Sequence, residues 1–413
     1  MAKVLVNIKK NKTFVVLILS LFITYRYITS LVIIRPFDLI TIIVFLSLFL
    51  AKVENKGEKT PGFYYILPFL IFHVFSAFLV SNNNFFREAI QVTSIIMFAF
   101  IISNLKSKIN YKIVIYYLLI GSVFFMSYVI YWHISKGMFI GWKELPDSRI
   151  LFTVVSLFLF SYLNTIEINQ KNKFKIFIIC VGFFSILVMS GERKAILVFL
   201  FLLLMHYTYG FPIRAIIGLV LAYFVLTFLA NNIDNIYVSR ILGSILKITE
   251  TNTDSFSLQE GMSMEINSYS NFQRIFSFNI SKELFSENPI IGLGTNNFIV
   301  TLNNMYPNLP SFLLSGIHGE FLRVLIENGL IGLFLYLMIW YKSWIRTKET
   351  LMYARKNGLI NDRQVSFLLY SVYLALAIYV GTEASSNRSF IILVLISILP
   401  DYLIYYFKKD VSK

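Results

Sequence analysis

Three short stretches hold side chains whose types and spacing could do chemistry. The first is Ser190-Gly191-Glu192-Arg193-Lys194, a tight polar turn between two apolar runs. A guanidinium presents a planar fork that fits phosphate oxygens, so Arg193, with Lys194 beside it, could hold an anion at a membrane face. The alternative is a cation that snorkels to water and pairs with Glu192. The second is Arg274 in Asn271-Phe272-Gln273-Arg274, off the apolar stripe of its helix and so facing solvent or a cleft. The third is Ser315-Gly316-Ile317-His318-Gly319-Glu320, which leads into a helix running apolar to Trp340. Glu320, Arg323 and Glu327 stand three and four residues apart and can neutralise one another along that helix. His318 has no local partner, and the helix N-terminus beside it disfavours an imidazolium. A neutral imidazole at the water edge can take a proton as a general base; the alternative is a merely solvated side chain. His73, His133 and His206 are assigned no role.

Other chemistries lack their residues. No Gly-Lys-Ser/Thr follows a glycine run, and Gly292-Leu293-Gly294 has no strand before it, so no nucleotide loop is expected. No His, Asp or Glu cluster has metal-ligand spacing, and no paired aspartates signal a metal-bound sugar nucleotide. Neither metal nor cofactor is expected.

The elements that position these stretches are membrane helices. Of 413 residues, 57% are hydrophobic and 14% charged, where a soluble domain carries about 25% charged; the mean hydropathy is +0.70. Apolar runs near 13–30, 38–51, 63–80, 87–104, 113–132, 150–164, 174–189, 194–209, 212–230, 319–341, 365–380 and 388–407 make about twelve spans. The fold expected is an all-α polytopic membrane protein. The net charge of +15 does not point to nucleic acid, because most of the lysines and arginines fall in alternate loops and at both ends. That bias puts both termini in the cytoplasm, against anionic lipid. The first span, flanked by lysines, reads as retained rather than as a cleaved signal. The single cysteine, Cys180, excludes an intramolecular disulfide.

Three regions follow: a bundle of spans 1–9 over residues 1–230, one large external loop over 231–318 between spans 9 and 10, and spans 10–12 over 319–413. The loop has a polar part, 249–270, and then a helix over 271–287. Phe272, Ile275, Phe276, Ile280 and Leu284 give that helix an apolar stripe, and Asn288-Pro289 ends it.

In order, SGERKAILVF (190–199), QRIFSFNISKELFSENPIIGLG (273–294) and HGEFLRVLIENGLIGL (318–333) resemble the O-antigen ligase and polymerase superfamily of bacterial membrane glycosyltransferases. The family's two arginines match Arg193 and Arg274, and its histidine matches His318, with Glu327 and Gly329 in the following helix. The residue after the histidine is often Asn in the family and is Gly319 here. The resemblance implies a GT-C-like enzyme of the inner membrane with about twelve spans, acting at the periplasmic face. Its donor would be a glycan on undecaprenyl diphosphate. Arg193 and Arg274, with Lys194 and Glu320 nearby, would bind the diphosphate or glycan, and His318 would activate the acceptor hydroxyl.

In a polymerase the acceptor is another lipid-linked repeat unit, and a chain-length regulator protein is an expected partner. In a ligase it is the core of lipopolysaccharide. A lipid-linked glycan flippase is a third reading, against which stand dissimilar halves and ionisable groups gathered at span ends. A charge-assisted hydrogen bond contributes about 1.5–3 kcal/mol. Arg193→Ala should therefore slow transfer roughly ten- to several-hundred-fold at unchanged protein abundance, read as the rate of polymer formation.

Overall fold

The computed structural model describes residues 36–50, 61–79, 85–105, 193–208, 211–232, 266–307 and 319–382, together with Ile317 and scattered positions between 131 and 184 and between 390 and 403. Every regular element among them is helical. In chain order these are α1 (Pro36–Leu50), α2 (Pro61–Leu79), α3 (Phe85–Leu105), α4 (Arg193–Tyr207), α5 (Pro212–Asn232), α6 (Ile266–Glu287), α7 (Phe298–Met305), α8 (Glu320–Lys356) and α9 (Asp362–Ser366). A π-turn over Phe367–Ser371 then leads into α10 (Val372–Thr382).

Local chemistry sets several of these boundaries. Three helices open on proline, whose missing N–H is not needed at a first helical position and whose fixed φ suits one. The expected spans at 38–51, 63–80, 87–104, 194–209, 212–230, 319–341 and 365–380 each find a helix. Those at 13–30, 113–132, 150–164, 174–189 and 388–407 lie wholly or largely outside the described residues, as does most of the polar loop 249–270. The loop helix begins at Ile266, five residues before its expected start.

Span 10 differs more. Its apolar run ends near Tyr341, but α8 continues to Lys356. Hydropathy marks where a helix stops being apolar, not where it stops being a helix. The continuation buries Thr347, Thr350, Leu351 and Ala354 on one face, and Leu351 and Ala354 pack with Val365 and Leu369 from α9 and the π-turn. Among the described residues α8 is the one helix both long and apolar enough to cross a membrane, and five shorter apolar helices accompany it.

The core joins α2, α3, α4, α8, α10 and the segment around Phe390. α2 and α8 run antiparallel. Tyr65 lies beside Lys342 and Arg346, Phe69 meets Tyr336 edge-on at 5.3 Å, and His73 reaches Asn328.

Gly329 interrupts α8 with φ 64° and ψ −166°. A break in a helix orphans backbone groups that an apolar surrounding cannot satisfy. Here the turn after α6, Asn288-Pro289-Ile290-Ile291-Gly292-Leu293-Gly294, supplies partners for four of them. Leu293 N–H and Gly294 N–H donate to the carbonyls of Ile326 and Glu327 (both 2.9 Å), while Leu330 N–H and Ile331 N–H donate to those of Pro289 (2.9 Å) and Ile290 (3.3 Å). In an unbroken helix Leu330 and Ile331 would have bonded Ile326 and Glu327, so the chain has exchanged two internal bonds for four across the junction.

The exchange requires backbone against backbone. A Cβ on Gly292, at φ 81°, would stand 2.5 Å from Gly329 N, and one on Gly329 would stand 2.2 Å from Ile290 O. Gly292→Ala should therefore cost about 3 kcal/mol, combining a left-handed backbone with an overpacked contact. Gly358→Ala has φ 69° but open space around it, and should cost only about 1 kcal/mol. Thermal unfolding of the two detergent-purified variants should rank them in that order.

Candidate functional site

Beyond the junction, a second small core holds the loop segment to the first half of α8. Ile280 and Leu284 of α6, Leu293, Phe298 and Leu302 of α7, Ile317 and Ile326 bury one another. The buried face of α6 includes Ile280 and Leu284 of the expected stripe and adds two serines to it. Ser277 and Ser281 are as fully buried as Leu284, and the Ser281 hydroxyl turns back onto the Ser277 carbonyl at 2.6 Å. Small residues there let α6 approach closely. Arg274 lies one turn before Ser277 and two before Ser281, so it sits at the edge of the docked face and is half-buried.

His318 is outside the described residues, but both its neighbours are fixed. Ile317 is buried in the small core. Gly319, at φ 100°, caps α8, and its carbonyl accepts the Arg323 N–H at 2.9 Å. The residue after the histidine therefore needs a left-handed backbone, which glycine adopts without strain.

The Glu320, Arg323 and Glu327 pairing expected from spacing is present. Arg323 Nη2 donates to Glu320 Oε1 at 2.6 Å, and Nη1 lies 3.6 Å from Glu327 Oε2. The trio is not solvated. Glu320 is 0%, Arg323 1% and Glu327 4% exposed, and the guanidinium stacks over Phe390 at 5.2 Å.

Beside the trio lies a group that sequence reasoning missed. The His73 Nδ1–H donates to Asn328 Oδ1 (3.0 Å), Asn328 Nδ2 donates to Thr295 Oγ1 (3.0 Å), and the Thr295 hydroxyl donates to the His73 carbonyl (2.7 Å). The Ser76 hydroxyl adds a bond to the Glu327 carbonyl at 3.2 Å. His73 and Asn328 are 255 residues apart, and no local spacing signals the contact. Asn328, polar and immediately before the helix-breaking glycine, was the one available hint.

Arg193 and Lys194 stand at the head of the described part of α4. The two side chains lie outside the described residues. α6, which bears Arg274, meets α8 directly, and α4 reaches α8 through α10 and the π-turn. Among the described residues no three His, Cys, Asp or Glu side chains come together as a metal site.

Helices that bury charge at one end and expose isoleucine, leucine and phenylalanine along their length define a membrane protein. Residues 176–337 match the family model described as O-antigen ligase. The matched segment takes in Arg193, α6, the glycine turn, His318 and the break in α8, and it bears out the resemblance to the O-antigen polymerase and ligase superfamily. A search of curated proteins finds no match.

Removing one partner of a buried ion pair costs about 3–5 kcal/mol, because the other charge stays buried. Arg323→Leu should therefore sharply reduce folded protein in the membrane. Arg355→Ala, which breaks the exposed pair with Asp362, should cost about 0–1 kcal/mol and leave abundance unchanged. Quantified membrane extracts of the two variants provide the comparison.

Proposed function

We propose that this chain is an inner-membrane polysaccharide polymerase. In this reading it transfers a glycan from undecaprenyl diphosphate to a sugar hydroxyl of another lipid-linked repeat unit, at the periplasmic face and without a metal. The observation that carries the reading is the docking of α6, with Arg274, against the first half of α8, which begins two residues after His318. This docking supports a reading in which a cation and a base work from one end of the bundle.

The chemistry follows from those groups. The acceptor hydroxyl oxygen attacks the anomeric carbon on the face opposite the diphosphate. The carbon–oxygen bond to the diphosphate breaks, and its electron pair leaves on undecaprenyl diphosphate. The hydroxyl proton passes to His318. Negative charge grows on the leaving diphosphate as the bond stretches, so the fixed cations Arg193 and Arg274, supported by Lys194, stabilise the transition state more than the ground state. Glu320 has one oxygen on Arg323 and the other without a hydrogen-bond partner among the described residues. Its part is to orient the His318 imidazole rather than to meet the glycan from solvent.

The second reading is a ligase, favoured by the description of the matched family. Against it, the polar loop 249–270 carries acids and no lysine or arginine, which suits neutral sugar hydroxyls better than a phosphorylated core. A transporter leaves the unwound part of a broken helix open to its cargo. In this chain the four groups described at the break are occupied by residues 289–294, which counts against transport.

Deleting the gene in its native strain separates the readings, with surface glycan resolved on a gel and lipid-linked intermediates extracted. The polymerase reading expects lipopolysaccharide capped by a single repeat unit. Bare core with long polymer left on the lipid carrier would mean a ligase, and unchanged surface glycan would remove both.

A further inference from the structure

We propose that His73, Thr295 and Asn328 act together as a positioning lock for the transfer reaction, an inference that rests on the function proposed above. The three side chains and the His73 carbonyl close a ring of hydrogen bonds of 2.7–3.0 Å, and all three residues are 0% exposed. The ring ties three separated stretches of chain to one point: the middle of α2, the turn that follows α6, and the residue before the break in α8. Phe390 adds a fourth. It stands edge-on to the imidazole at 4.7 Å and also lies under the Arg323 guanidinium.

The position of this ring gives it consequence. The turn containing Thr295 follows directly on the helix that bears Arg274, and Asn328 ends the half-helix that starts just after His318. Four backbone bonds join the turn to the break itself, but α6 and α7 meet α8 through apolar side chains. Apolar packing is non-directional and fixes a distance better than a register. The ring adds directional side-chain bonds that carry this register on to α2, and a misplacement of about 1 Å between catalytic groups can cost about 100-fold in rate.

Stability alone does not call for such a ring, since apolar side chains of similar shape can replace a buried polar group with little loss. The proton inventory is consistent with a single arrangement. The Asn328 amide gives to Thr295, and Thr295 spends its one hydroxyl proton on the His73 carbonyl. The Asn328 oxygen then accepts from Nδ1–H, which fixes the histidine tautomer. His73 touches no reacting atom in this scheme; it acts through Asn328.

The test uses full-length protein in nanodiscs and lipid-linked repeat units extracted from a strain lacking the gene. Thr295→Val, which removes the hydroxyl and keeps the shape, should lower kcat ten-fold or more with KM for the donor within about two-fold. The amides of Leu293, Gly294, Leu330 and Ile331 should exchange hydrogen faster in the same variant. Thr295→Ser and His73→Asn, which keep the donors, should restore both readouts. Asn328→Ala should resemble Thr295→Val wherever it folds. Thr295→Val with faster exchange but unchanged kcat would overturn the lock, as would a loss that Thr295→Ser fails to rescue or one that falls on KM alone. Wild-type protein that transfers nothing would instead remove the functional reading.

Discussion

Everything at the candidate site depends on one backbone exchange. A helix can be interrupted inside an apolar bundle only if the peptide groups it releases find other partners, because each one left unpaired costs several kcal/mol in hydrocarbon. At Gly329 those partners come from a single turn of chain, Pro289 to Gly294, and the two segments bond reciprocally. The glycines follow from that contact, since neither Gly292 nor Gly329 has room for a Cβ. Asn288-Pro289 follows as well: it ends α6 and delivers carbonyls where α8 needs them. The exchange makes α6, α7 and the first half of α8 one body, and Arg274 belongs to it.

The polar groups inside the bundle have a common arrangement. α2 and α8 are joined at one end by the His73 ring and the Ser76 bond, and at the other by Asp401, which pairs with Arg346 at 2.6 Å and accepts the Gly62 N–H at 3.1 Å. Aromatic contacts, Phe69 with Tyr336 and Phe321 with Tyr336, occupy the middle. Two polar ends and an apolar centre set the antiparallel register, because a slip of one turn would strand buried polar groups at both ends. α1 and α3 repeat the device in smaller form. There the Ser94 hydroxyl, with one proton to give, lies between the buried Asp38 carboxylate and the Gln91 carbonyl.

Much of this was legible in the residues. Apolar runs located the helices, and charge three and four residues apart announced the Arg323 trio. The three chemical stretches pointed to the family that the comparison later matched. What was not legible has a physical reason in each case. The continuation of α8 to Lys356 is helical without being apolar, so hydropathy could not extend it. The burial of Ser277 and Ser281 reflects a close helix approach, and a stripe drawn from large apolar residues finds Phe276, Ile280 and Leu284 but leaves out the serines beside them. His73 is a partner only because α2 crosses Asn328 in space, a contact set by the fold and absent from any window of sequence.

The junction at Gly329 also bears on the order in which the protein can be made. The first half of α8, with Glu320, Arg323 and Glu327, is a poor substrate for lipid on its own, since charged side chains and unpaired peptide groups are costly in hydrocarbon. It becomes acceptable when α2 offers Ser76 and His73 and the glycine turn offers its amides and carbonyls. Synthesis from the N-terminus supplies α2 first, the turn second and the broken helix last. The peptide groups freed at the break and the Asn328 amide thus find their partners already made as they leave the ribosome. A circular permutation that reversed this sequence would preserve every contact in the finished molecule and still ask the translocon to insert a charged half-helix with nothing to receive it.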